Sequence, residues 1–386
     1  MNILLVHSSD ELYGSDRSLV ALTARLTERG NRCLVALPGR VDGPLTRLLR
    51  SSGAQVLHTD VLKLQNSKKS IFQRWRKKLR AVVRDLDHGV HAFGAIDVVH
   101  SNTSAVLAGA AWARRHNIPH VWTVREILSD RPLVARAVAR MLFHGANAVT
   151  YNSQATRDFW EAVGPDGLRD KGFTILNRVD ARADALPAIP DDTTTVRLAL
   201  IGRINGWKGH EELVAAIEQL PATVAASLHV SFVGGSPPGR PDLEENLRRR
   251  ISASPRCSAF SIHDFVSDIY TVLSATDVVV TPSTRPEPFG RVPVEAAIAG
   301  VPTIATNHGG FRETIVHGVT GILVEPGQLR PLSEAIELLV TNGELRRRMG
   351  RAARAHAIRS QSTDAMATEY LTSYSTAVSA HKLRKG

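Results

Sequence analysis

Along this chain, short apolar runs alternate with longer stretches in which apolar residues return at every third or fourth position. The runs at 3–7, 32–37, 97–101, 120–124 and 148–152 are apolar at their centres and bounded by polar, Gly or Pro residues, which predicts strands buried on both faces. Between them, 15–29, 104–117 and 133–143 carry the helical period. The pattern then resumes, with strands at 196–202, 229–233, 259–263, 278–282, 303–306 and 321–324. The helices of this second series fall at 209–219, 243–253, 269–275, 292–299 and 331–341. Such alternation predicts βα units on a parallel sheet, once in each half of the chain.

Punctuation separates the halves. Residues 181–195 hold two prolines and little periodicity, so they read as a linker. The expected organisation is a first α/β domain over 1–180, the linker at 181–195 and a second α/β domain over 196–360. A helical tail at 361–386 is expected to pack back on the first domain. Open parallel sheets bind ligands beyond the carboxyl ends of their strands. With two such domains, the expected site is the cleft between them. After the first strand stands Tyr13-Gly14-Ser15-Asp16 rather than Gly-x-Gly-x-x-Gly, and no Walker A sequence occurs, so neither a dehydrogenase nor a P-loop kinase is supported.

Composition narrows the address more than the chemistry. Cys33 and Cys257 are far apart and cannot build a disulfide framework, no apolar run reaches the length of a membrane span, and the first residues lack the apolar core of a signal peptide. A cytoplasmic location is the expectation. Charge is more informative: of the net +11, residues 1–180 carry +10, from 26 Lys and Arg against 16 Asp and Glu. A negatively charged partner is therefore expected at the first domain. Residues 67–84 hold most of a basic cluster and can form a helix with Ile71, Trp75, Leu79, Val82 and Val83 on one stripe. Two readings stay open: the stripe packs on the sheet, or it lies on an anionic membrane surface and makes the protein peripheral on the inner face. Only Phe72 and Trp75 interleave the cations, which weakens a nucleic-acid-binding reading; no nucleic acid is expected.

The chemistry concentrates after the predicted strand at 278–282, in Glu287-Pro-Phe-Gly-Arg-Val-Pro-Val-Glu295. Pro293 suits the first turn of a helix, and the N–H groups near Phe289, Gly290 and Arg291 would form an anion site at its N-terminus. Carboxylates beside such a site suit the vicinal hydroxyls of a sugar or ribose. A matching cationic pair, Arg203 and Lys208, stands in Gly202-Arg-Ile-Asn-Gly-Trp-Lys-Gly209 after the first strand of the second domain.

These motifs, with Ile262-His-Asp-Phe-Val-Ser-Asp-Ile269, Ser274-Ala-Thr-Asp277 and Ile175-Leu-Asn-Arg-Val-Asp180, resemble the retaining GT-B glycosyltransferases of family four, the group 1 type. The resemblance covers nearly the whole chain and is strongest over 196–324. It implies two Rossmann-like domains facing across a cleft and transfer of a sugar from a nucleotide-diphosphate sugar to a hydroxyl acceptor on a glycan, a lipid-linked molecule or a small molecule. By resemblance, Glu287 would be catalytic beside the transferred sugar and Glu295 would hold the ribose. Arg203, Lys208, Gly14 and the Phe289–Arg291 turn would meet the diphosphate, while Phe265 and Val266 would flank the base or pack in the core. No metal and no cofactor beyond the donor are expected: His263-Asp264 lacks metal spacing, and Asp85-Leu-Asp87 reads as a solvated helix cap. Two departures stand out. Trp122-Thr-Val-Arg125 occupies the place of the family's active-site histidine, so Arg125 either replaces it or is structural, and Arg178 stands where glycine is usual. A nucleotide-sugar epimerase on the same scaffold is the enzymatic alternative.

Overall fold

The computed structural model describes residues 1–39, 42–59, 61, 72–182, 195–237 and 239–383, without the side chains of 72–78. They form two units: Met1–Arg178 together with Ser362–Gly386, and Val179–Gln361. Residues 183–194, most of the expected linker, lie outside the described residues.

Unit 1 begins with β1 (Asn2–Val6), α1 (Gly14–Glu28), β2 (Arg32–Leu37), α2 (Pro44–Ser51), β3 (Gln55–His58) and α3 (Phe72–Phe93). It continues with β4 (Val98–Ser101), α4 (Ala108–His116), β5 (His120–Val124), α5 (Pro132–Gly145), β6 (Ala148–Tyr151), α6 (Gln154–Val163) and β7 (Gly172–Thr174). The strands are all parallel, in the order β3-β2-β1-β4-β5-β6-β7. Period-two alternation divides the core: Ile3 and Leu5 pack with Leu19, Leu22 and Leu26 of α1, whereas Leu4 and Val6 pack with Val82 and Leu86 of α3 and Trp112 of α4.

Unit 2 contains β8 (Val196–Ile201), α7 (His210–Glu218), α8 (Ala222–Ala225), β9 (Leu228–Val233), α9 (Pro241–Ser252), β10 (Phe260–His263), α10 (Ile269–Leu273) and β11 (Val278–Thr281). It ends with α11 (Arg291–Ile298), β12 (Thr303–Thr306), α12 (Phe311–Thr314), β13 (Gly321–Val324), α13 (Leu329–Thr341) and α14 (Gly343–Ser360). Its parallel order is β10-β9-β8-β11-β12-β13. In both sheets the order reverses once, between β1 and β4 and between β8 and β11. The loops leaving those strands line the crevice where such sheets take ligands.

The last helix, α15 (Thr363–Leu383), belongs to unit 1. Met366, Ala367, Tyr370, Tyr374 and Ala377 repeat at helical spacing and are buried with Leu19 and Leu22. The Tyr374 hydroxyl also hydrogen-bonds His100 Nδ1 at 2.8 Å, and His100 Nε2 meets Thr123 Oγ1 at 2.6 Å. A buried imidazole is thus satisfied on both sides.

Four elements of unit 1 escaped the pattern reading: α2, β3, α6 and β7. The strands are three or four residues long, and Gln55 and Gly172 interrupt their apolar character. The helix expected from residue 104 starts instead at Ala108. Ser104 Oγ is engaged with Glu126 at 2.8 Å and the Ala105 N–H donates to Thr103 Oγ1 at 3.1 Å, side-chain bonds that compete with helix. Part of the basic stripe is already occupied: Val82 and Val83 are buried against the sheet, with Leu79 packed beside them, so those residues are not available to lipid. Residues 67–71, including Ile71, and the side chain of Trp75 lie outside the description. Asp87 is no solvated cap; it sits inside α3 and accepts from Trp112 Nε1 at 2.8 Å and His116 Nε2 at 2.6 Å. Among the described residues, no helix is long and apolar enough to cross a membrane.

The buried histidines make unit 1 acid-sensitive. Burial pushes His120 down to about 4, despite its bond to the Gly145 carbonyl, and holds His100 well below the usual imidazole range. Both pKa values are depressed in the folded chain, so the unfolded chain binds their protons at higher pH. Their stabilisation is complete above about pH 6.5 and is lost as pH falls toward 4, by up to about 1.4 kcal/mol per pH unit for each histidine. Trp75, Trp112, Trp122 and Trp160 lie in unit 1 and only Trp207 in unit 2, so urea unfolding followed by tryptophan fluorescence reports chiefly on unit 1. The midpoint should drop between pH 6.5 and 4.5, less so in His120→Gln; a midpoint constant over that range contradicts the assignment.

Candidate functional site

In unit 2, the loops after β8 and β11 converge. The Asn205 side chain accepts from the N–H groups of Trp207 and Lys208, at 3.2 and 3.0 Å, and curls the first loop back. Gly209 then opens α7 with φ +82°, and its α-carbon faces Pro282 so closely that a side chain would strike the Pro282 carbonyl. A bond of 2.8 Å from the Thr284 N–H to the Trp207 carbonyl joins the loops. Lys208 is thereby carried to Glu287: its Nζ pairs with Glu287 Oε1, which also accepts from Ser283 Oγ at 3.0 Å. Glu287 is only 6% exposed, so its charge relies on these partners.

The second carboxylate is built on α11. Gly290 caps this helix in the left-handed region at φ +86°, and Pro293 occupies its first turn. First-turn N–H groups have no acceptor within their own helix, so those following Gly290 are aimed at whatever lies before it. One turn on, Glu295 is 4% exposed and accepts from Arg291 Nε at 2.8 Å. Two nearby polar atoms are buried without a protein partner, Arg291 Nη1 and the Tyr270 hydroxyl. Burial, with Glu295 beside it, pushes the Tyr270 phenol well above its ordinary value. Buried polar atoms left unpaired are the exception in folded proteins, and a hydroxyl-rich ligand would satisfy them.

The other expected residues fall around this centre. Arg203 is half-buried in the β8 loop. Phe289 is buried, with Gly310 packed on its backbone. The pair flanking the expected base divides: Val266 packs with Ile269 against the core, while Phe265 is 45% exposed. His263 and Asp264 are exposed, and among the described residues no group of three or more His, Cys, Asp or Glu could hold a metal ion.

In unit 1, Gly14 begins α1 just beyond β1. Arg125 follows β5 and is 8% exposed, with its guanidinium donating to Asn102 Oδ1 from Nε and Nη2, at 3.2 and 2.9 Å, and to Asn177 Oδ1 from Nη1. Arg178 donates to Glu369 Oε1 at 2.7 Å, tying β7's exit to α15.

Comparison with known proteins gives this geometry a family. The family model for "Glycosyltransferase Family 4" matches residues 13–181 and that for "Glycosyl transferases group 1" matches 186–356. The chain belongs to the group 1 glycosyltransferases. Mycobacterium tuberculosis glycogen synthase is 27% identical over 270 residues, 67% of this chain and 63% of that protein, so the match spans less than two thirds of this relative. Alpha-maltose-1-phosphate synthase from the same species is 29% identical over 316 residues, 74% of this chain and 80% of its own. Among solved structures, Anabaena HepE in complex with UDP and glucose superposes with a TM-score of 0.81 over 97% of this chain and 99% of its own, at 24% identity. That likeness shows a shared GT-B fold.

Pattern reading of this glycosyltransferase missed the second layer beneath Glu287. His308 Nε2 donates to the Ser283 carbonyl at 2.9 Å, and burial lowers the imidazole's proton affinity. The Gly310 N–H donates to the Glu287 carbonyl at 2.8 Å, and Gly309, at φ +58°, leaves no room for a side chain against the Glu287 backbone. Adjacent glycines after a strand were the available signal. Gly309→Ala should therefore displace Glu287 and lower kcat/KM by at least about tenfold, with unit 2 still folded by circular dichroism. Wild-type kcat/KM in a folded variant would show that Glu287 tolerates the shift.

Proposed function

We propose that this glycosyltransferase transfers a sugar, with retention at the anomeric carbon, from a uridine-diphosphate sugar to a hydroxyl acceptor on a glycan, a lipid-linked molecule or a small molecule. The observation that carries the reading is the pairing of Lys208 with buried Glu287 beside the N-terminus of α11. UDP and glucose in the HepE complex support the donor class. Retention is what the resemblance of Glu287-Pro-Phe-Gly-Arg-Val-Pro-Val-Glu295 to the retaining family implies.

Lys208 has three N–H donors and needs one for Glu287, which leaves two for the departing diphosphate. Arg203 and the first-turn N–H groups of α11 add to the charge stabilisation that a leaving group requires. Glu287 then lies where it can stabilise positive charge developing on the sugar. Glu295, with the unpaired Tyr270 hydroxyl, suits the ribose. These cations supply what a divalent metal would otherwise supply, so turnover should be unchanged by a chelator.

Lys208→Ala should lower kcat/KM by about 10²–10³-fold. It also strands a buried carboxylate, so the single variant should lose stability. The double variant Lys208→Ala/Glu287→Gln should recover the melting temperature and not the activity. Wild-type kcat/KM in Lys208→Ala would sink the proposal, as would abolition of turnover by a chelator.

The two glutamates should separate kinetically. Glu287→Gln should chiefly lower kcat and Glu295→Gln chiefly raise the donor KM, because only contacts that strengthen in the transition state appear in kcat. A change confined to KM in both would remove Glu287 from the reacting centre. Attachment to an anionic leaflet would rest on the cations of 67–84, since Val82 and Val83 are buried in unit 1; co-sedimentation with anionic but not neutral vesicles is its test.

A further inference from the structure

Arg125 raises a problem of charge. The acceptors of its guanidinium are all neutral, Asn102 Oδ1, Asn177 Oδ1 and, at 3.4 Å, Ser18 Oγ, while the one carboxylate bonded to this residue, Glu126 Oε2, takes the backbone N–H at 3.1 Å. Ser18 Oγ in turn donates to Asn177 Oδ1 at 2.8 Å. A guanidinium buried among neutral groups is costly unless its charge is answered further along the network.

The network can be followed because arginine only donates. With Nε and Nη2 both directed at one Asn102 atom, that atom has to be the oxygen, so the amide cannot turn over. Its Nδ2 therefore faces His7 Nδ1, 3.0 Å away. An amide nitrogen donates, so His7 Nδ1 accepts and the ring proton sits on Nε2. From there it reaches Asp16 Oδ1 at 2.7 Å. Asp16 is 1% exposed and takes three further bonds: from Ser9 Oγ at 2.5 Å, from the Tyr13 N–H at 2.8 Å and from Ser15 Oγ at 3.1 Å. Burial pushes this carboxyl up, yet the bonds from His7, Ser9 and Tyr13 outweigh burial and hold it below the ordinary carboxylate range. The cation at one end of the network is thus answered by the carboxylate at the other.

Tyr13 and Ser15 flank Gly14. We propose that Arg125 is a positioning residue: through Asn102 it sets the Nε2-protonated tautomer of His7, and through His7 and Asp16 it holds the turn that presents Gly14 to the donor. Asn102, His7 and Asp16 are the intermediate links. The last step, to the donor, rests on the function proposed above; the tautomer does not.

The full-length chain labelled with ¹⁵N-histidine decides it by long-range ¹H–¹⁵N spectra, with the His7 signals assigned by their loss in His7→Gln. Wild type should show His7 protonated at Nε2 and bare at Nδ1. Asn102→Asp places an oxygen against Nδ1 in either orientation, so Nδ1 should gain a proton. Arg125→Met frees the Asn102 amide to turn, so a second tautomer should appear; this variant also covers the case in which Asn102→Asp does not fold. The Gly14 amide resonance should move in both variants, and UDP, titrated calorimetrically, should bind at least about fivefold more weakly to them. His7 bare at Nε2 in wild type, or unchanged in both variants, overturns the relay; an unmoved Gly14 amide with altered His7 overturns its reach to the turn. If UDP fails to bind wild type, the donor reading falls, while the spectra still decide the relay.

Discussion

Reversal of strand order is the constraint from which the rest of this molecule follows. Within each sheet every neighbour is parallel, so all loops leaving the carboxyl ends gather at one edge, and helices cover both faces. At most positions successive connections run to the same side. Between β1 and β4, and between β8 and β11, they diverge and leave a crevice that no helix fills. The residues with the chemistry sit on those strands' exits: His7 after β1, Asn102 after β4, Arg203 and Lys208 after β8, and Ser283 and Glu287 after β11.

Charges at such an edge are half out of water, and the two units manage this differently. In unit 2 they are paired directly, Lys208 with Glu287 and Arg291 with Glu295. Replacing such pairs by apolar residues is often neutral or stabilising in proteins, so their retention suits a binding role more than a structural one. Each cation also keeps donor capacity in reserve, two hydrogens on Lys208 Nζ beyond the one given to Glu287 and the unpartnered Nη1 of Arg291. An incoming anion can be met without surrendering the carboxylate. In unit 1 the cation and carboxylate are separated by an amide and an imidazole, a geometry with little donor capacity left over. It resists rotation of any one member, which suits holding a backbone turn in place.

The strands and motifs of unit 2 were legible in the sequence, although α8, α12 and α14 were not, whereas unit 1 also hid two of its strands, for a physical reason. The strands of unit 2 run four to six residues with apolar centres, and its motifs sit directly on their exits, so period and spacing coincide. In unit 1, β3 and β7 lie at the sheet's two ends, where a strand needs fewer apolar residues; burial there is partial. The basic stretch near residue 75 left two readings open, packing on the sheet or lying on a membrane, and the sheet takes its apolar stripe from residue 79 onward. Glu287 and Lys208 were legible as types at positions; their bond was not, because it depends on Asn205 and Gly209 bending one loop toward another. Arg125 was legible as a departure from its family, while the partners of its guanidinium, Ser18, Asn102 and Asn177, come from three separate stretches of chain, which no local pattern displays.

The tail adds a constraint of a different kind. Tyr370, Tyr374 and Ala377 are fully or almost fully buried in the same cluster as Ile3 and Leu22, and Tyr374 provides the partner of His100. Without α15, the part of that face over β4, β5 and β6 would be bare and His100 Nδ1 would be left without its hydroxyl. Unit 1 therefore cannot complete its core from residues 1–178, and its final layer is synthesised only after the whole of unit 2. Domains usually fold in order of synthesis, and exposed sheet faces aggregate. Here the first unit has to wait with an apolar face uncovered while 183 intervening residues, Val179–Gln361, are made, and the buried tyrosine hydroxyls give the closing helix a register that apolar packing alone would leave loose.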